Sequence, residues 1–329
     1  MNLYKLLIIL LALCLAGCSF TGAIQESVNS HIESTVLPTQ AEYPSTAEST
    51  VPTEFSTMHP GTEPESTVPT QNETEPPQLI IQPKPDDEDF VNVKTYIPDI
   101  FVDLRYSTVN NFTNRKIYDF TDAWLRYGTV KKLTLVQEEL KTHNLYLKIW
   151  DSFRPPSAQF KLWNVCPDPT YVSNPNNGFS SHSRGNTVDI TIVYEDGTEL
   201  PMPTGFDDFS KLADRDYSDC NNEVADNAVF LEELMKKYGF KPYSGEWWHF
   251  SDTQSYPVDE LFEPIETAMY YADCNEYISL RAKPCVTADV ITKILVGEQF
   301  KVVAEYDEFV LIEYKNLTGY VLRKYTLPQ

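Results

Sequence analysis

Histidine is scarce in this chain, with five in 329 residues. His31 and His59 fall in a Thr/Pro/Glu-rich stretch, so His143, His182 and His249 alone stand in sequence patterned like a folded domain. Basic residues are also few. Against 48 Asp and Glu there are 26 Lys and Arg, and the formal charge of -22 argues against nucleic acid as a partner. The six cysteines lack the close pairing of a zinc ribbon or a redox Cys-x-x-Cys. No apolar run reaches the roughly 20 residues that a membrane-spanning helix needs.

The longest such run, Leu6 to Leu15, follows a single lysine, Lys5, and closes on Leu15-Ala16-Gly17-Cys18. That is the layout of a secretory signal, and its end resembles a bacterial lipobox with lipidation at Cys18. Residues 1–18 are therefore read as a lipoprotein signal. The mature protein is expected outside the cytoplasm, anchored to the membrane by its acyl chains and facing the cell wall. Residues 19–89 are rich in Ser, Thr, Pro and Glu and repeat loosely as Glu33-Ser34-Thr35-Val36, Glu48-Ser49-Thr50-Val51 and Glu65-Ser66-Thr67-Val68. Such a composition buries too little apolar surface to fold, so this part reads as a disordered tether. At about 3.1 Å per residue it could hold its cargo on the order of 100 Å from the membrane. Cys14 leaves with the signal. Cys166, Cys220, Cys274 and Cys285 remain, and Cys274 with Cys285 is the nearest candidate disulfide.

The remaining length suits two domains, expected at 90–265 and 266–329. In the first, Thr121 is placed to cap a helix through Leu125, Val130, Leu133, Val136 and Leu140, weakened early by Gly128. Leu145, Leu147 and Ile149 then alternate as a strand that Pro155-Pro156 stops. A second amphipathic helix is expected over Glu223 to Tyr238, burying Leu231, Leu234 and Met235 before Gly239. Without a regular β-α-β repeat, the fold class is α+β, a small antiparallel sheet flanked by helices.

Two segments of this domain concentrate chemistry: Ser180-Ser181-His182-Ser183-Arg184-Gly185-Asn186-Thr187-Val188-Asp189 and Glu246-Trp247-Trp248-His249. Two imidazoles and one carboxylate form a recognised zinc ligand set with a fourth position left for water. A second carboxylate beside one imidazole could serve as a base. His143, at the end of a helical pattern, is read as an ordinary imidazole. Val188 to Val193 looks like a strand with Asp189 at its start, and Gly185 lets the preceding loop bring His182 back toward it. On a straight strand Glu246 and His249 would point to opposite faces, so that segment must bend.

These residues resemble the zinc D-alanyl-D-alanine dipeptidases and the related wall carboxypeptidases. The likeness extends to Asp103-Leu104-Arg105-Tyr106 with Asn110-Asn111-Phe112, to Ser152-Phe153-Arg154-Pro155 and to Phe206-Asp207. Thr187 stands where many members have Ala, and Met202-Pro203-Thr204 replaces Met-Gly-Thr. The resemblance implies Zn²⁺ on His182, Asp189 and His249, Glu246 as general base, and Arg154 as the donor to the oxyanion. It also implies Asp207 for the substrate's ammonium, with Ser180 and Tyr106 as hydroxyl contacts. Read on their own, Arg154 could form a surface salt bridge, Ser180 could tie its loop, and Asp207-Asp208 could be an exposed turn. Trp247 and Trp248 are expected to pack around the site.

From about Tyr270 short alternating stretches with Gly297 and Gly319 between them resemble a bacterial SH3-type barrel. This module either binds cell wall or packs on the enzyme. The expected function is zinc-dependent hydrolysis of D-alanyl-D-alanine at the wall side of the membrane. A carboxypeptidase acting on wall peptides is the nearest alternative. A non-catalytic wall-binding lipoprotein with structural zinc is the other, and an unliganded Glu246 argues against it.

Overall fold

The structure is a computed structural model and describes residues 83–329. Cys18, the signal segment, the tether to residue 82, His31 and His59 lie outside the described residues.

The peptidase-like part opens with β1 (Phe90–Asn92), the short α1 (Val93–Tyr96) and β2 (Phe101–Val102). β3 (Trp124–Arg126) pairs antiparallel with β1 and runs directly into α2 (Tyr127–Lys141). The helix expected from Thr121 thus begins later. Leu125 lies opposite Val91 in the ladder and is fully buried, which holds 124–126 extended, and the helix starts only after Arg126. Gly128 then serves close approach, because a Cβ there would meet the Tyr256 hydroxyl at 2.2 Å. Val130, Leu133, Val136 and Leu140 recur at helical spacing and are fully buried. Each stabilises the fold by about 1.5–3 kcal/mol relative to exposure.

β4 (Leu145–Asp151) follows, then α3 (Pro156–Val165), whose first residue is a proline that needs no amide partner there. β5 (Thr187–Tyr194), α4 (Asn222–Lys237), β6 (Phe240–Tyr243) and β7 (Glu246–Asp252) complete this part. α4 is capped by the Asn221 side chain on the Val224 amide, and Gly239 follows it at φ 86°. The sheet order is β2-β4-β5-β7-β6, antiparallel throughout except for the edge pair β2 and β4, which is parallel. The edge departs from the expected all-antiparallel sheet because the chain returns to β4 through β3 and α2, a crossover instead of a hairpin.

β8 (Phe262–Ala272) begins the second sheet. It is joined by β9 (Tyr277–Arg281), β10 (Val290–Leu295), β11 (Gln299–Tyr306), β12 (Phe309–Tyr314), β13 (Leu317–Leu322) and β14 (Thr326–Pro328). The order is β10-β9-β13-β12-β11-β8-β14, with every pair antiparallel. Together they form the all-β, SH3-type region. One core fills the α+β part and a second the β part. A third is shared, with Phe90, Trp124 and Phe153 from the former meeting Phe262, Val303, Ala304, Phe309, Leu311 and Tyr320 from the latter.

All four cysteines among the described residues are free thiols, so Cys274 and Cys285 form no disulfide. Cys274 packs against the core of the β part, whereas the exposed Cys285 sits beside Thr287 Oγ1.

Candidate metal and active site

Neighbouring strands and one turn bring the ligand candidates together. Asp189 on β5 lies directly opposite His249 on β7. His182 comes from a one-turn 3₁₀ segment, Ser181–Arg184, whose exit is Gly185 at φ 71°. A Cβ at Gly185 would lie 2.3 Å from the Phe90 ring, so glycine is required for both backbone sign and space. His182 Nε2 is 3.4 Å from His249 Nδ1 and 3.4 Å from Asp189 Oδ2, and His249 Nδ1 is 3.0 Å from Asp189 Oδ1.

The demand for a bend in β7 is met by a bulge. Tyr243 pairs with Glu246 while Pro242 pairs with Phe250, so the four-residue step on β7 answers a single step on β6. Glu246 Oε2 consequently lies 3.4 Å from His249 Nδ1. Trp247 and Trp248 are both buried at the same bend, and the Trp247 indole donates to Thr204 Oγ1 at 2.9 Å. Burial, reinforced by the Asp189 charge, pushes the Glu246 carboxyl above its ordinary range.

Arg154 makes no surface salt bridge. It is 8% exposed and donates to Asp151 Oδ2 at 2.6 Å, Gln159 Oε1 at 3.1 Å and the Tyr118 hydroxyl at 3.3 Å. Three of its five N–H groups are thereby engaged, leaving two to donate elsewhere. Asp151 also accepts from the Tyr118 hydroxyl at 2.6 Å and lies 3.6 Å from His182 Nδ1. Asp151, Tyr118 and Gln159 are site residues that sequence reasoning missed. A bulge in β4 turns Asp151 to face Asp189, and only the Asp three residues before Arg154 hinted at it.

Tyr106 and Asp207 meet, the hydroxyl donating to Asp207 Oδ2 at 2.9 Å. Asp207 lies in a turn but is half-buried, unlike the exposed Asp208 beside it, and desolvation together with repulsion from Asp189 raises its carboxyl to about 8. Its backbone is left-handed at φ 56°, a conformation that Asp tolerates through its short polar side chain. Ser180 ties its loop, its Oγ accepting from the His182 amide at 3.4 Å. His143 is exposed and stacks edge-on with Phe230.

The donor set fits a zinc ion. Two nitrogens and a carboxylate oxygen lie within 4.8 Å of one another. A tetrahedral zinc with ligands at about 2.1 Å places its donors about 3.4 Å apart, close to the 3.0 to 3.4 Å separations seen here. His182 Nδ1 lies 2.9 Å from the Ser152 carbonyl; donating there, it fixes the tautomer that turns Nε2 toward the other two ligands. Asp189 Oδ1 is buried and accepts no well-directed hydrogen bond from protein. Such an oxygen suits a cation.

The pattern of the D-ala-D-ala dipeptidase family matches residues 86–267, and that of the bacterial SH3 domain matches residues 276–326. Similar proteins include the D-alanyl-D-alanine dipeptidase of Escherichia coli K12, 33% identical over 175 residues that cover 53% of this chain and 90% of that protein. The D-alanyl-D-alanine dipeptidase of Enterococcus faecalis V583 is 31% identical, covering 45% of this chain and 83% of that protein. That of Streptomyces coelicolor is 29% identical, covering 53% and 96%.

Proposed function

The chain belongs to the D-ala-D-ala dipeptidase family, and from that premise we propose that it hydrolyses the peptide bond of D-alanyl-D-alanine with zinc held by His182, Asp189 and His249. The observation that carries this reading is the convergence of those three donors with Glu246 at 3.4 Å from His249. When bound, zinc would polarise the scissile carbonyl and make water acidic enough to deprotonate near neutral pH. Glu246 takes the proton of the attacking water and delivers it to the leaving amine. Its raised affinity for protons brings it nearer the working pH. Arg154 directs its two uncommitted N–H groups to the carbonyl oxygen as negative charge develops there. Asp207, steadied by Tyr106, takes the substrate's ammonium, and Ser180 both holds the His182 loop and offers a hydroxyl at its edge.

The half-buried Tyr106–Asp207 pair favours a free dipeptide over an acylated wall peptide, because a free ammonium would ionise and pair with the Asp207 carboxyl, whereas an acylated amine offers it no cationic partner. Assay of the protein against free D-alanyl-D-alanine and an acyl-blocked peptide ending in two D-alanines decides between these. Cleavage of the blocked peptide alone would overturn the dipeptidase reading. Alanine at His182, Asp189 or His249 should abolish bound zinc by elemental analysis, and full occupancy in two of these variants would overturn the ligand set.

The place of action is the wall side of the membrane, with a lipid anchor at Cys18 and the SH3-type module directed to cell wall. The signal layout of the N-terminus supports it. Cys18→Ser should move the protein from the membrane to the soluble fraction, and unchanged membrane association would rule the anchor out.

A further inference from the structure

Ser152, Phe153 and Arg154 follow β4 directly, and their backbone is tied on both sides, the Phe153 amide donating to the Trp124 carbonyl at 3.0 Å and the Arg154 amide to the His182 carbonyl at 3.3 Å. The Ser152 carbonyl meets the His182 ring nitrogen at 2.9 Å, and the Arg154 guanidinium rests on Asp151. Phe153, between them, is fully buried in the cluster shared with the SH3-type region. Its ring lies 4.4 Å from Phe90 and 5.7 Å from Phe262, while Phe90 and Phe262 stack at 4.3 Å with their planes 6° apart. Phe262 opens β8, pairs with Tyr306 of β11 and also packs edge-on against Trp124 at 5.5 Å. The same Phe90 ring is what a side chain at Gly185 would strike, so it backs the turn carrying His182 as well.

The geometry points to the second sheet as a positioning element of the catalytic site, with Phe262 of β8, inside the segment that the dipeptidase pattern matches, the positioning residue that acts through Phe153 on Arg154. The inference rests on the reading of Arg154 as the oxyanion donor. The Phe153 side chain lies in the shared cluster, away from the metal ligands, and the rings that hold it come from β1 and from the second sheet. Removing the Phe262 ring leaves Phe153 free to shift, and a displacement of about 1 Å at a reacting group can cost on the order of 100-fold in rate.

Kinetics on the full, zinc-replete chain with D-alanyl-D-alanine test this. Phe262→Leu keeps apolar bulk but loses the stack, and should lower kcat about 10-fold or more with KM within about twofold and zinc content unchanged. In an Arg154→Ala background the same substitution should change kcat less than about twofold, since the group it positions is gone. Ile312→Val, in the separate core of the β part, should leave kcat within about twofold of the parent. Should Phe262→Leu fail to fold, Phe309→Leu on the same cluster is read identically. Parental kcat in Phe262→Leu beside an impaired Arg154→Ala, or losses that simply multiply in the double variant, would overturn the inference alone. Parental kcat in Arg154→Ala would overturn the reading of the site as well.

Discussion

Glu246 and Asp207 are two half-buried carboxyls with opposite tasks. Glu246→Gln preserves shape and most hydrogen bonding but cannot accept a proton. It should keep zinc and fold while losing at least about 100-fold in turnover, which kinetics on metal-replete protein will measure. Asp207 has the larger energetic signature. Its carboxyl titrates near 8 in the folded protein and near 3.9 when unfolded, so the native state binds the extra proton between those values. The stability that this carboxyl contributes is therefore fully present below about pH 4 and falls as pH rises toward 8. In metal-free protein Asp207→Asn should flatten that decline and raise the melting temperature at pH 8, as followed by thermal denaturation across pH. A parallel pH dependence in the variant would show that the carboxyl is not the source.

The elements that carry the site are turns and bulges, and these divide what could be read in sequence from what could not. His182 and His249 were legible because histidine is scarce, and Asp189 and Glu246 because each stands close in sequence to one of them. Gly185 was legible for the same reason. Its replacement should therefore test the turn: Gly185→Ala forces both a left-handed backbone and a clash with Phe90, and should make zinc removable at lower chelator concentration than in the parent. Asp151 was not legible, since its approach to Asp189 depends on a register shift in β4 that hydrophobic alternation does not encode. The start of α2 was misplaced for a related reason. Leu125 fits helical spacing equally well, and only its pairing with Val91, distant in sequence, makes it a strand residue. The bend in β7 could be demanded from geometry, and the packing of both tryptophans was expected, but its form, a register shift against β6 between Pro242 and Tyr243, could not be read.

At the scale of the whole described molecule, the two sheets are joined by more than the chain that runs between them. Within the α+β part and the segment leaving it, the buried Arg126 guanidinium lies over Phe90 at 3.9 Å and donates to the carbonyls of Glu88, Arg184 and Pro257, which backs the shared cluster from one side. Lys283, between β9 and β10, reaches Asp89 at 2.5 Å. Beneath these polar ties lies the shared cluster around Phe90, Phe153 and Phe262. A core with contributors from both sides cannot be half lost: unfolding the β region alone would bare Phe90, Trp124 and Phe153 to water, at about 1.5–3 kcal/mol for each large side chain. Heat should accordingly melt the two regions in one transition, with the calorimetric and van't Hoff enthalpies in agreement. Two separated peaks in a scanning calorimeter would mean that the seam is too weak to couple them. If the single peak holds, the protein has no state in which the β region is lost while the enzyme stands, and damage anywhere in either part is felt by the whole.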